Sequence, residues 1–243
     1  MQAIILAAGK GIRMKDDSLP KVMFPLLGKP LIQYSVDHVR EAGVKDIILV
    51  VGYKKEKVQE YFGRSVKYAF QEQQLGTGHA VMAAGDQIDQ KMDWVLVCYG
   101  DMPLYQSDTI RKLIQAYHSQ HPTIAMLTVN FNNPNFWAYG RIVRDAHQNI
   151  LGIVEQKDCT PAQREIKESN PGFYVFEGSW LKENLSQLKT NNAQKEYYLT
   201  DLVEMAVKQQ RKVVTVPVSE ESEALGINTP EQLKQAEEIL HSH

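Results

Sequence analysis

The chain has 243 residues, a formal net charge of −2 and two cysteines, and that length accommodates one large domain with a well-buried core, read here as residues 1–243. Its 43% hydrophobic and 23% charged content is that of an ordinary globular protein, and the near-zero charge excludes an electrostatic footprint for nucleic acid or an anionic membrane surface. Two cysteines build no disulfide framework, the seven histidines have no zinc-ligand spacing, and no basic leader or apolar run of about 20 residues is present, so a cytoplasmic protein is expected.

The apolar start Ala3-Ile4-Ile5-Leu6 reads as a buried strand. It runs into the small-residue loop Ala7-Ala8-Gly9-Lys10-Gly11-Ile12-Arg13-Met14, closed by Leu19-Pro20-Lys21. Open α/β sheets bind ligands at the carboxyl ends of their strands. Small residues let backbone approach a ligand, and the successive amides of Ala8, Gly9, Lys10 and Gly11 can point at phosphate oxygens. With the cations of Lys10, Arg13 and Lys21 the loop reads as a polyphosphate site. A dinucleotide fingerprint would need glycine where Met14 stands, and a P-loop would need Gly-Lys followed by Ser or Thr.

Further along, residues 31–42 read as a helix stopped by Gly43, 46–51 as a strand, 54–62 as a short charged helix and 66–70 as a strand. A helix at about 78–88, a strand at 94–99 and a helix at 107–118, with Ser107 as its N-cap, continue the alternation. Strands separated by helices imply a mostly parallel, Rossmann-like twisted α/β sheet flanked by helices. From Ile124 the rhythm changes. Strands at 124–129, 140–143, 150–155 and 172–176 have less helix between them, and read as completion of the sheet plus a small antiparallel subregion. Helices at about 178–188 and 198–209, a strand at 213–218 and a last helix to 240, with Thr229 as N-cap and Pro230 at its first position, end the chain. Cys98 lies inside an apolar run and reads as a packed thiol.

Three groups of residues carry chemistry. Tyr99-Gly100-Asp101-Met102-Pro103 ends a strand, which places the Asp101 carboxylate at the sheet edge that holds the glycine loop. A carboxylate with substrate phosphates and waters is how Mg²⁺ is usually held, and Asn228 in Gly226-Ile227-Asn228 can add a second oxygen. Taken alone, each of the two is also an ordinary turn or cap residue. Gln71 opens the string Gln71-Glu72-Gln73-Gln74-Leu75-Gly76-Thr77-Gly78-His79-Ala80. Its amide offers a donor and an acceptor, which suits the O4/N3–H edge of uracil, and Gly76 lets a base approach the backbone. His79 reads as structural.

The opening loop resembles the signature of the sugar-1-phosphate nucleotidylyltransferases, with Ile12 where that family usually has Thr. The string from Gln71 resembles the uracil-reading segment of the bacterial N-acetylglucosamine-1-phosphate uridyltransferases. Tyr139-Gly140-Arg141-Ile142, the segment from Ile153 to Asp158, Glu168-Ser169-Asn170-Pro171-Gly172 and the stretch from Asn191 to Asp201 follow in family order, with Lys195 where Gly is usual. The resemblance implies a nucleotide-diphospho-sugar transferase fold with a sugar-facing subregion. It implies UTP and N-acetylglucosamine 1-phosphate as substrates, Mg²⁺ as cofactor, and no nucleic-acid, membrane or identified protein partner. It further implies Arg13 and Lys21 as catalytic, Asp101 and Asn228 as metal ligands, and Gly140, Glu155 and Asn170 as sugar contacts. Leu6, Ala7, Ala8, Gly9, Lys10, Gly11, Gln71, Gly76, Thr77, Tyr99 and Gly100 would contact the nucleotide, while residues 198–201 would support the sugar pocket. The hexapeptide repeats with which bifunctional relatives carry acetyltransferase activity do not occur in these residues, so uridylyl transfer alone is expected. A relative using glucose 1-phosphate and a non-catalytic nucleotide-sugar-binding subunit remain open readings.

Overall fold

The computed structural model describes residues 1–89, 91–135 and 137–241. Its first half comprises β1 (Gln2–Ala7), the two-residue strands β2 (Pro25–Leu26) and β3 (Lys29–Pro30), α1 (Leu31–Glu41), β4 (Asp46–Val51) and α2 (Lys55–Phe62). β5 (Lys67–Phe70), α3 (Thr77–Ala83), β6 (Trp94–Tyr99), α4 (Ser107–Gln120) and β7 (Ile124–Asn130) follow. The rest is β8 (Gly140–Arg144), β9 (Ile150–Val154), α5 (Pro161–Arg164), β10 (Glu168–Asn170), β11 (Tyr174–Glu177), α6 (Gly178–Leu185), α7 (Asp201–Lys208), β12 (Val213–Pro217) and α8 (Pro230–His241).

Side chains alternate faces along a strand, so an unbroken apolar run requires cover on both sides. Ala3, Ile5 and Ala7 of β1 pack in one cluster with Leu49, Leu96 and Cys98, beneath Leu31, Val36 and Val39 of α1 and Ile110 and Leu113 of α4. Ile4 and Leu6 pack in a second with Ile48, Val50, Val95 and Val97, beneath Val81 of α3, Trp180 and Leu181 of α6 and Leu202 and Val203 of α7. Cys98 is fully buried, and desolvation pushes its thiol far above the ordinary range, as a packed rather than reactive group requires.

The strand order is β5-β4-β1-β6-β11-β7, with β12 beside β7. β5, β4, β1 and β6 pair in parallel, β11 runs against both of its neighbours, and β12 is parallel to β7. The expected mostly parallel sheet is therefore present, with β11 reversed within it. Beyond β7 the antiparallel pairs β7–β10, β10–β8 and β8–β9 build the subregion. The chain leaves β1 for β4 on one side and later crosses to β6 on the other, which makes the carboxyl end of β1 a switch point where a crevice opens.

Several boundaries differ from the sequence expectations. The helix expected at 78–88 stops at Ala83, and a single 3₁₀ turn, Gly85–Gln87, replaces its last turn. Ser107 is the first residue of α4 rather than its cap; Gln106 occupies the N-cap position without a side-chain cap bond, and its N–H donates to Glu223 Oε2 at 3.2 Å. That partner lies 117 residues away, so local sequence carries no sign of it. The helices expected at 178–188 and 198–209 shorten to α6 and α7, whereas Thr229 does cap α8, accepting from the Gln232 N–H at 3.3 Å. β10 and the capping-box helix α5, with Thr160 and Gln163 bonded reciprocally, had no expectation. Among the described residues no helix is long and apolar enough to cross a membrane.

Candidate active site

A cleft of about 440 Å³ opens at the carboxyl ends of β1, β5 and β6. Leu6, Ala7, Ala8, Gly9, Arg13, Lys21, Gln71, Gly76, Thr77, Tyr99, Asp101, Gly140, Glu155, Asn170 and Asn228 all line it. Of the residues expected at a site, Lys10, Gly11 and Gly100 stand behind the lining. Lys10 turns outward, its ammonium 5.3 Å from the centre of the Tyr53 ring, and Gly100 donates to Leu6 O at 2.9 Å, tying β6 to β1.

Gly11 acts through space it leaves open. It sits at φ +71, and a Cβ there would lie 2.5 Å from Lys21 Cβ. Only glycine adopts this left-handed turn while letting the Lys21 stem pass. Among the described residues, no backbone acceptor takes the N–H groups of Gly9, Lys10 or Gly11, so the loop keeps donors for an anion. Ile12 is 80% exposed and does not line the cleft.

Four functional groups converge at this end. Lys21 Nζ donates to Asp101 Oδ2 in a short ion pair and to Asn228 Oδ1 at 2.9 Å, and Arg13 donates to the same Asn228 oxygen at 2.9 Å. Asn228 Nδ2 donates to Gly226 O at 3.3 Å, which turns its oxygen toward the cations. The Ile227 N–H donates to Asp101 O at 2.9 Å and joins the two loops. Asp101 and Asn228 thus present hard oxygens to one cation, the Lys21 ammonium. That donor set fits a divalent ion completed by phosphates and waters. It does not form an all-protein cage: no group of three or more His, Cys, Asp or Glu able to hold a metal occurs among the described residues.

On one wall Gln71 is 4% exposed, and its Nε2 contacts Gly76 O at 3.0 Å and His79 Nδ1 at 3.1 Å. Gly76 lies at φ +110, and a Cβ there would meet Tyr197 O at 2.6 Å. The Tyr197 N–H donates to Leu75 O and its carbonyl accepts from the Gly78 N–H, both at 2.8 Å, so the two segments are laced together.

The opposite wall is set by strand register. Asn170 stands opposite Gly140, and Arg141 opposite Val154, which brings Gly140, Glu155 and Asn170 into one row across β10, β8 and β9. Asn170 is oriented by donating to Tyr174 Oη at 2.6 Å and accepting from the Gly172 N–H at 3.2 Å. Glu155 accepts from Thr200 Oγ1 at 3.0 Å. Desolvation still raises its carboxyl above the ordinary range, with Asp201, Asp158 and Glu196 adding to the rise. Asp201 stands at about 6, raised first by desolvation and then by Glu204 and Asp158. Lys195 adopts φ +55, a left-handed conformation that favours glycine.

The cleft also takes Gln74, Trp137, Tyr139, Gln194, Glu196 and Tyr198. Apart from Trp137, all lie inside strings that the sequence singles out, but their residue types alone assign no role. Tyr139 works behind the lining as well: its hydroxyl donates to Ala224 O and accepts from the Gly226 N–H, both at 2.9 Å, supporting the Asn228 loop.

The family model of the MobA-like NTP transferase domain matches residues 3–167. The chain is 44% identical over 242 residues to the bifunctional protein GlmU of Acetivibrio thermocellus, with 100% of the chain and 52% of that protein covered. It is 45% identical over 240 residues to GlmU of Caldicellulosiruptor saccharolyticus, covering 98% of the chain and 51% of the relative. The chain therefore spans about half the length of the curated relatives it matches. Among solved structures, a Bacillus anthracis chain described as a glucose-1-phosphate thymidylyltransferase superposes with a TM-score of 0.81 at 20% identity, covering 100% of this chain and 96% of that one. A UDP-glucose pyrophosphorylase bound to UDP-glucose superposes with a TM-score of 0.79 at 21% identity, covering 99% and 98%. These last two similarities concern the fold alone.

Proposed function

The chain belongs to the MobA-like NTP transferase family, and from that premise we propose that it transfers a uridylyl group from UTP to N-acetylglucosamine 1-phosphate, releasing pyrophosphate. One observation carries the reading: a single cleft holds a cation-and-oxygen cluster, a buried Gln71 beside an open Gly76, and the row Gly140, Glu155 and Asn170. These suit, in that order, a triphosphate, a pyrimidine edge and a polar sugar. Similarity over the whole chain to two proteins named GlmU supports the choice of uridine and hexosamine.

A sugar phosphate is already a nucleophile, so the protein needs no nucleophile of its own. An oxygen of the sugar phosphate forms a bond to the α-phosphorus of UTP, the bond from that phosphorus to the β-bridging oxygen breaks, and pyrophosphate leaves with the electron pair. The protein aligns the three participants and offsets the charge that develops. Arg13 and the amide of Gly9 hold the β- and γ-phosphates, and Lys21 reaches the α-phosphate and sugar phosphate. Both cations exchange their present Asp101 and Asn228 partners for phosphate oxygens. Asp101 and Asn228 would hold a divalent ion, proposed as Mg²⁺, which when bound supplies charge neutralisation across the phosphates. Gln71 and Gly76 read the base, Glu155 accepts from sugar hydroxyls, and Asn170 meets the N-acetyl group.

The test is pyrophosphate release with four nucleoside triphosphates against a panel of sugar 1-phosphates that includes glucose, glucosamine and N-acetylglucosamine. The highest kcat/KM is expected for UTP with N-acetylglucosamine 1-phosphate. A higher value for another pair reassigns the substrate, and no release with any pair removes the catalytic reading.

A further inference from the structure

A glutamine cannot by itself tell uracil from cytosine. Uracil offers a donor at N3 and an acceptor at O4, cytosine offers the reverse, and an amide that flips serves either. Whatever fixes the amide therefore sets the discrimination. Gly76 O can only accept, so the group facing it at 3.0 Å is the Gln71 NH₂. The second contact of the same nitrogen is His79 Nδ1 at 3.1 Å. Since the NH₂ only donates, Nδ1 must accept, and the ring proton of His79 resides on Nε2. Both amide hydrogens are then engaged, and Oε1 remains as the acceptor for a base.

His79 is itself held in place. It lies in the first turn of α3, and its ring stacks on Tyr197 with centroids 6.0 Å apart and planes at 27°. Tyr197 is bonded through its backbone to Leu75 and Gly78. Flipping the Gln71 amide would set Oε1 against two acceptors, the Gly76 carbonyl and His79 Nδ1, at a position 4% exposed. A buried polar group left facing a like group is strongly disfavoured.

We propose that His79, expected from sequence to be merely structural, is a specificity-determining positioning residue that locks the Gln71 amide so that Oε1 accepts the N3–H of uracil and cytosine is rejected. The inference rests on the uridylyl reading above, in which Gln71 meets the base.

The experiment compares the UTP/CTP ratio of kcat/KM in the wild type, Gln71→Ala, His79→Phe, His79→Leu and His79→Asn, with UDP and CDP affinities from calorimetry as a readout independent of turnover. His79→Phe keeps a ring to stack on Tyr197 and removes the acceptor. His79→Leu removes both, so a misfolded Phe variant leaves the comparison intact. His79→Asn restores an acceptor near the Nδ1 position. The acceptor-free variants are expected to lower both ratios about 3- to 10-fold, the net worth of one hydrogen bond, and Asn to recover most of the wild-type ratio. If Gln71→Ala collapses the ratio while His79→Phe and His79→Leu retain it, His79 has no such role. Equal loss in the Asn variant would assign the effect to the ring and likewise overturn the proposal. A wild type that does not distinguish UTP from CTP would overturn the base reading and this inference with it.

Discussion

Replacing Asp101 with alanine removes an ion-pair partner and a proposed metal ligand together, and the two effects separate by assay. The Lys21 and Asp101 side chains are only 15% and 17% exposed. Breaking a fully buried pair from one side costs about 3–5 kcal/mol. Lys21 here keeps a second acceptor in Asn228 Oδ1 at 2.9 Å and some contact with water. The expected loss of stability is therefore smaller, about 1–2 kcal/mol, or roughly 2–8 °C in Tm for a chain of this length. Activity should fall much further. Losing one preorganised electrostatic group costs on the order of 10²–10³ in kcat, and Asp101 also anchors the proposed ion. Differential scanning fluorimetry reads the first effect, and coupled pyrophosphate release at saturating Mg²⁺ reads the second. A folded variant that turns over within threefold of wild type would refute the role given to Asp101.

Arg13→Ala and Lys21→Ala should each depress kcat more than they raise KM for UTP, because the proposed roles set their charges against phosphate rather than base; steady-state kinetics showing raised KM with unchanged kcat would reassign them to ground-state binding. Gly76→Ala should cost at least about 2 kcal/mol, from φ +110 and a Cβ 2.6 Å from Tyr197 O, and should raise KM for UTP; the measurements are Tm and initial rates. Asp201, at about 6, binds its proton more tightly folded than unfolded, so its contribution to stability falls as pH rises from about 4 through 6 and is least favourable above 6. Asp201→Asn should therefore have a higher Tm than wild type at pH 7.5, with the gap closing by pH 4 in a melting series.

The apolar runs of β1, β4 and β6 were legible as sheet core because both faces are buried and no polar residue interrupts them. The same strands put the loop of Gly9 and the carboxylate of Asp101 at one edge, so the meeting of these two groups at the end proposed to hold phosphate follows from local pattern. Gly140, Glu155 and Asn170 came together only through cross-strand register between β10, β8 and β9, and β10 is three residues long. Periodicity cannot find so short a strand; family order located its residues instead. The bond from the Gln106 N–H to Glu223 reaches a partner 117 residues away, and the contact of His79 with Gln71 depends on how the turn between them folds. Lys10 shows the converse limit: a cation in the right loop, it turns to the Tyr53 ring because one position along a loop is enough to reverse a side chain's direction.

The most direct test of the central claim is ³¹P NMR of the 243-residue chain with UTP, N-acetylglucosamine 1-phosphate and Mg²⁺. The pyrophosphate resonances of UDP-N-acetylglucosamine and that of free pyrophosphate are expected to grow in equal amounts as both substrates disappear. A folded chain that leaves both substrates unchanged, or that releases orthophosphate from UTP without forming the nucleotide sugar, would contradict it.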